Sequence, residues 1–190
     1  PDYDGEGSLD SGEKCQEYYL TDRLKGVVEK IISLKERMNI QFVIVLGDIS
    51  DTAERSEFLM ARKILSKLND AGIPYIPLIG NHDVEKRPHT TKKDVHPDYR
   101  PFNIATFAPW PWEGGKFGDQ LFEEVFWNES DEEAKRNIEL IKERFSTFEK
   151  DDPFKALVEI KNSPFLFCIT IYPQNYYFVY NGVRFIATDF

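Results

Sequence analysis

The chain has 190 residues, 41% of them hydrophobic, and a formal net charge of −9. That length and apolar content suffice for one domain with a core and exclude wholesale disorder. No apolar run reaches the roughly 20 residues that a membrane-spanning helix needs. Thirteen acidic against six basic residues between Glu113 and Asp152 hold most of the negative charge; this argues against duplex nucleic acid docking on that face, and its plainest reading is a solvated helix surface.

Residues 1–17 are rich in Asp, Glu, Gly and Ser without periodicity and read as a loop, whose Asp2, Asp4 and Asp10 are free to approach a site. From Tyr19 to Met38 the pattern predicts a helix with Leu20, Leu24, Val27, Ile31 and Met38 as its buried stripe. Phe42-Val43-Ile44-Val45-Leu46 is continuously apolar and mostly β-branched, as in a parallel strand buried on both faces. It runs into Gly47-Asp48-Ile49-Ser50-Asp51. Phe58, Ala61, Leu65 and Leu68 then share one helical face, with Gly72 placed to end the helix. A second apolar run, Ile73 to Ile79, carries Pro74 and Pro77, which cannot donate ladder bonds, so its pairing is expected to be irregular or edge-like. It ends in Gly80-Asn81-His82-Asp83. Strand, helix and strand make a βαβ unit, and ligands of open α/β sheets bind beyond the carboxyl ends of the strands, where Asp48 and Asn81 would lie side by side.

Residues 85–115 hold five prolines and the Gly114-Gly115 pair, the mark of a long irregular connection. His89 and His96 lie in it, either as solvated loop residues or as contacts to a substrate phosphate. Phe107, Trp110, Trp112 and Phe117 either pin this loop to the core or stack a ring of a ligand. Phe117, Leu121 and Val125 predict a short helix. Ala134, Ile138, Ile141, Phe145 and Phe148 predict a longer one, opened by Ser130 and Glu133 at capping-box spacing. Asn181-Gly182, between Tyr176–Tyr180 and Val183–Phe190, is the favoured two-residue hairpin turn. Whether Asp189, at the end of that run, reaches a site or caps a turn is open. Cys15, in the first loop, and Cys168, in a strand, fit no metal-ligand spacing and read as unpaired thiols.

The two strand-terminal turns carry the chemistry. A carboxylate such as Asp48 can bridge two cations, and the Asn81 amide oxygen can ligate one. His82 beside them is a proton donor, with Asp83 placed to fix its tautomer. Asp51 either caps the next helix, with Glu54 completing a capping box, or supports the ligand side chains. Gly47 and Gly80 are explained by turns that need a positive φ.

Gly47-Asp48-x-x-Asp51 followed by Gly80-Asn81-His82-Asp83, each after an apolar strand, resembles the second and third motifs of the calcineurin-like metallophosphoesterase superfamily. The resemblance implies an α/β fold of two packed mixed β-sheets flanked by helices, with the 85–164 region as an inserted loop and helical cap. Residues 1–84 would then form the first α/β half, and residues 165–190 a hairpin that starts the second sheet. It implies Asp48 as bridging ligand, Asn81 as ligand of the second metal, His82 as general acid and Asp83 as its orienting partner. Two divalent ions (Mn, Fe, Zn or Ni) would supply a bridging hydroxide for hydrolysis of a phosphomonoester or phosphodiester in a small phosphorylated substrate. Asp51 stands where purple acid phosphatases have a tyrosine, which sets that subfamily aside. The superfamily's first motif and its later histidine motifs are missing. The chain therefore reads as an internal piece of a longer protein, incomplete as a fold and expected to be inactive alone. Two alternatives stay open: a nucleotide pyrophosphatase or cyclic-nucleotide phosphodiesterase, and a non-catalytic binding module on the same fold.

Overall fold

The computed structural model describes residues 11–50, 53, 55–84, 118–159 and 166–188. Helix α1, Ser11–Met38, starts before the expected Tyr19, so Cys15 lies in a helix and not in a loop. Its buried stripe keeps Leu24 and Ile31 but shifts by one residue at Val27. Val28 is buried with Leu24, Ile31 and Ile32 packed beside it, whereas Val27 is 53% exposed and Met38 also faces solvent. The stripe ends at Lys35, whose Nζ donates to the Ala71 carbonyl at 2.7 Å, so an amphipathic side chain takes the place an aliphatic one would fill. Asn39 (φ 52) then terminates α1 in a left-handed cap, with the Ile40 amide donating to the Lys35 carbonyl at 2.9 Å.

Strand β1, Val43–Val45, pairs in parallel with β2, Tyr75–Pro77, with Val43 opposite Tyr75 and Val45 opposite Pro77. Helix α2, Arg55–Asp70, crosses between them and buries Phe58, Ala61, Leu65 and Leu68 as its spacing predicts; Gly72 follows at φ 69. β2 is fully buried, whereas β1 is only half-buried and Leu46 just beyond it is 81% exposed, against the expectation of burial on both faces. The outer edge of β2 is closed by side chains in place of a strand. Asn137 Nδ2 donates to the Tyr75 carbonyl at 2.8 Å, the Tyr75 amide donates to Asn137 Oδ1 at 3.1 Å, and the Tyr176 hydroxyl donates to the Pro77 carbonyl. A proline is tolerated on that edge because no ladder partner there asks for its N–H.

After the one-turn α3, Asn81–Val84, the described chain resumes with α4, Gly118–Phe126, and α5, Glu132–Arg144. Gly118 packs directly on the carbonyl of Asp83, where a Cβ would stand 2.1 Å away, so the chain re-enters beside the point where it left. Phe122 and Phe126 meet Phe58 of α2 edge-on, at 5.7 and 6.2 Å between ring centroids. Arg62 of α2 is buried: it donates to the Val125 carbonyl and pairs with Asp131 and Glu133, fastening α2 to the end of α4 and the start of α5. Asp131, not Ser130, caps α5, its Oδ1 accepting from the amides of Glu133 and Ala134. Asp131 is thus held as a cap and as the Arg62 partner at once.

α5 stops at Arg144, so the last two residues of its expected stripe leave the helix. Phe145 is the C-cap, and Phe148 belongs to β3, Thr147–Lys150. A spacing of three satisfies a helical stripe, but here cross-strand pairing wins, with Phe148 opposite Phe178. β6, Tyr176–Tyr180, lies between β3 and β7, Val183–Ala187, in an antiparallel sheet; β4, Phe154–Glu159, and β5, Leu166–Ile171, form a separate antiparallel pair. The β6–β7 turn has Asn181 at φ 48 and Gly182 at φ 78, the left-handed pair that Asn-Gly favours. Phe42, at the entry to β1, contacts Phe145, Phe178, Tyr180 and Phe185, joining the parallel unit to this sheet. Among the described residues the architecture is a mixed α/β fold with one parallel pair and two antiparallel sheets. β3 and β4 fall inside the 85–164 stretch, where the sequence pattern indicated only loop and helix.

Candidate metal centre

The turns after β1 and β2 meet backbone to backbone. A Cβ on Gly47 would stand 2.9 Å from the Gly80 nitrogen, and one on Gly80 would stand 2.3 Å from Asp48 Oδ1 and 2.4 Å from the Asp48 nitrogen. Gly47 is also required by its φ of +81, as expected; Gly80 is required by the close approach and not by a positive φ. Asp48 itself is left-handed at φ 49, a conformation that costs a non-glycine residue roughly 1–2 kcal/mol. It is held there by contact with the other turn: the His82 amide donates to Asp48 Oδ1 at 3.1 Å.

Asp83 makes the matching contact in the opposite direction. Its Oδ1 accepts from the Ser50 amide and the Ser50 hydroxyl, both at 2.8 Å, and its Oδ2 accepts from the Gly80 amide at 2.9 Å. The carboxylate expected to orient the imidazole thus accepts from both turns. The physical reason is direction: Asp83 points inward, completely buried, while Asn81 is exposed and His82 half-buried on the same short helix. Burial pushes the Asp83 carboxyl above its ordinary range, and the hydrogen bonds from Ser50 and Gly80 oppose that without reversing it. Ser50 is the residue that sequence reasoning passed over. Its partner lies 33 residues away, and a lone serine in a turn carries no signal of that; only its position two after Asp48 marked it.

Asp48 is exposed, with its carboxylate lying against the residues on either side of Asn81. Carboxylate and amide oxygens are the donors that hard divalent cations take. The missing side chain of Gly80 leaves the space that the Asp48 carboxylate occupies. The residues present thus fit part of a cation shell. Among the described residues, no group of three or more His, Cys, Asp or Glu that could hold a metal ion occurs. A cavity of about 250 Å3 opens beside Gly47 and Asp48, walled by Leu24, Ile64 and Leu65 and smaller than the roughly 300–1,000 Å3 usual for ligand pockets. Asp51, Glu54, His89, His96, the Phe107–Trp110–Trp112–Phe117 cluster, Asp189 and the acids of residues 1–10 lie outside the described residues.

The model of the calcineurin-like phosphoesterase family matches residues 16–188. The chain belongs to that family. Members of this family generally hydrolyse phosphoesters with divalent metal ions. Over 78 residues, 41% of the chain, it is 31% identical to a protein of Xenorhabdus bovienii named "Probable cyclic nucleotide phosphodiesterase". Over 77 residues, 38% of the chain, it is 29% identical to the DNA double-strand break repair protein Mre11 of Saccharolobus solfataricus. The aligned stretches span 30% and 20% of those relatives' own lengths. No solved structure matches the chain. No helix among the described residues is long and apolar enough to cross a membrane.

Proposed function

We propose that this chain carries one half of a binuclear phosphoesterase centre, in which Asp48 bridges two divalent cations, Asn81 ligates one of them and His82 protonates the leaving oxygen of the substrate. The observation that supports this reading best is the meeting of the two turns, which puts the Asp48 carboxylate against the amide of His82, next to Asn81. When bound, the metal pair supplies an activated water nucleophile and neutralises phosphate charge. The chain's own residues then do three things. The His82 amide holds one Asp48 oxygen in place, and the other would be offered to both cations. The exposed Asn81 amide would offer its oxygen to one of them. The His82 imidazole, as general acid, delivers a proton to the departing alkoxide, a step that contributes about 10²–10⁴-fold to rate.

The test is manganese-stimulated cleavage of a generic aryl phosphate by the full-length protein. Activity that disappears in D48N supports the assignment; activity that D48N retains removes Asp48 from it. As a second reading, the substrate is a phosphodiester of a nucleotide. The name of the Xenorhabdus relative favours it, and a comparison of rates on a cyclic nucleotide, a bis-aryl phosphodiester and an aryl phosphomonoester separates the two readings.

A further inference from the structure

Each turn lends its carboxylate to the backbone of the other. Asp48 of the first accepts from the His82 amide of the second, and Asp83 of the second accepts from the Ser50 amide of the first. The second exchange is the more heavily built. A fully buried carboxylate is costly unless its lone pairs are satisfied. Asp83 meets that demand with donors that include the Ser50 amide and hydroxyl and the Gly80 amide. Ser50, itself buried, closes the arrangement, its hydroxyl donating to Asp83 and accepting from the Ala53 amide at 3.2 Å. The group therefore has one bond set on each side of the crevice. On one side it grips the residue two after Asp48, and on the other the residue just before Asn81.

From this geometry we propose that Asp83 and Ser50 are positioning residues that fix the spacing between the Asp48 carboxylate and the Asn81 amide, and hence the separation of the two cations. The inference rests on the binuclear reading above. It makes a directional statement about the bonds. In D83N the amide oxygen can keep both Ser50 donors, but the new NH2 faces the Gly80 N–H, donor against donor, so the Gly80-Asn81 turn is released while the Asp48 turn stays tied. S50A removes the hydroxyl's bond to Asp83 and leaves the Ala53 amide without its acceptor.

The experiment titrates the full-length protein with manganese alone and follows it by electron paramagnetic resonance, which distinguishes an exchange-coupled pair from separate ions. Circular dichroism checks that each variant is folded. Wild type is expected to show a coupled pair. D83N is expected to keep one ion and to bind the second about 10–100-fold more weakly, without coupling, and S50A to fall between. A purely structural role for Asp83 would lower thermal stability but leave the coupling of the bound pair unchanged, so a D83N spectrum and affinity equal to wild type overturn the proposal. If D83N does not fold, folded S50A with wild-type manganese affinity and coupling overturns it equally. A wild-type protein that holds no manganese pair overturns the binuclear reading as well, which separates the two failures.

Discussion

Replacing Asn137 with alanine removes both groups that close the outer edge of β2, the strand that leads into the Gly80 turn. Asn137 is 1% exposed, and the Tyr75 amide and carbonyl that it serves belong to an equally buried residue. Because that edge is buried, two backbone polar groups lose their partners at once. An orphaned buried group costs about 1–3 kcal/mol, so the pair is expected to cost about 2–4 kcal/mol once local relaxation is allowed. In a chain of this size each kcal/mol moves the melting midpoint by about 2–4 °C, which places N137A roughly 4–16 °C below wild type. Urea unfolding of the full-length protein, with wild type and variant compared at equal m-value, reads the free energy directly. A loss below about 0.5 kcal/mol, the range of an ordinary surface substitution, would refute the claim that this amide stands in for a strand.

Three further outcomes follow from the same geometry. H82A is expected to lower kcat about 10²–10⁴-fold while the metal content stays at the wild-type level; an unchanged kcat takes the general-acid role away from His82. G80A forces a Cβ to within 2.4 Å of the Asp48 backbone nitrogen, which no side-chain rotation relieves, so manganese binding should weaken by at least about tenfold, and binding at wild-type strength would contradict the backbone-to-backbone packing. Asp131 gives a pH dependence: burial acts to raise its carboxyl, but the Ala134 amide and the Arg62 guanidinium outweigh that and hold it below the usual range. With the folded pKa below the unfolded one, its contribution to stability is complete above the ordinary carboxylate value of about 4 and is lost as pH falls through the lower folded value. Urea midpoints measured from about pH 6 down to pH 2 should therefore fall less steeply in D131N than in wild type, and parallel curves would count against the assignment.

The parts of this fold that sequence shows are those set by neighbours in the chain. The Asn181-Gly182 turn needs two left-handed residues and has them, and the α2 stripe repeats at helical spacing over four residues that are all buried. The two glycine-led turns stand out because short apolar runs end in them. What pattern reading misses is decided by distant partners. The α1 stripe ends at Lys35, which reaches the Ala71 carbonyl, and the α5 stripe breaks at Phe145 because Phe148 pairs with Phe178. Asp131 caps α5 in place of Ser130 while Arg62, 69 residues away, pairs with the same side chain. At the site, Asp48, Asn81 and His82 were legible as residue types in a motif. The partner of Asp83 was not, since adjacency to His82 suggests an imidazole contact and the inward direction of the side chain sends it to Ser50 and Gly80.

The most direct test of the central claim is the metal content of the full-length protein, measured by elemental analysis after dialysis, for wild type, D48N and N81A. Two divalent ions per chain in wild type, with a large loss from both in D48N and a loss from one in N81A, is the result this arrangement predicts. Equal metal content in all three proteins would contradict it.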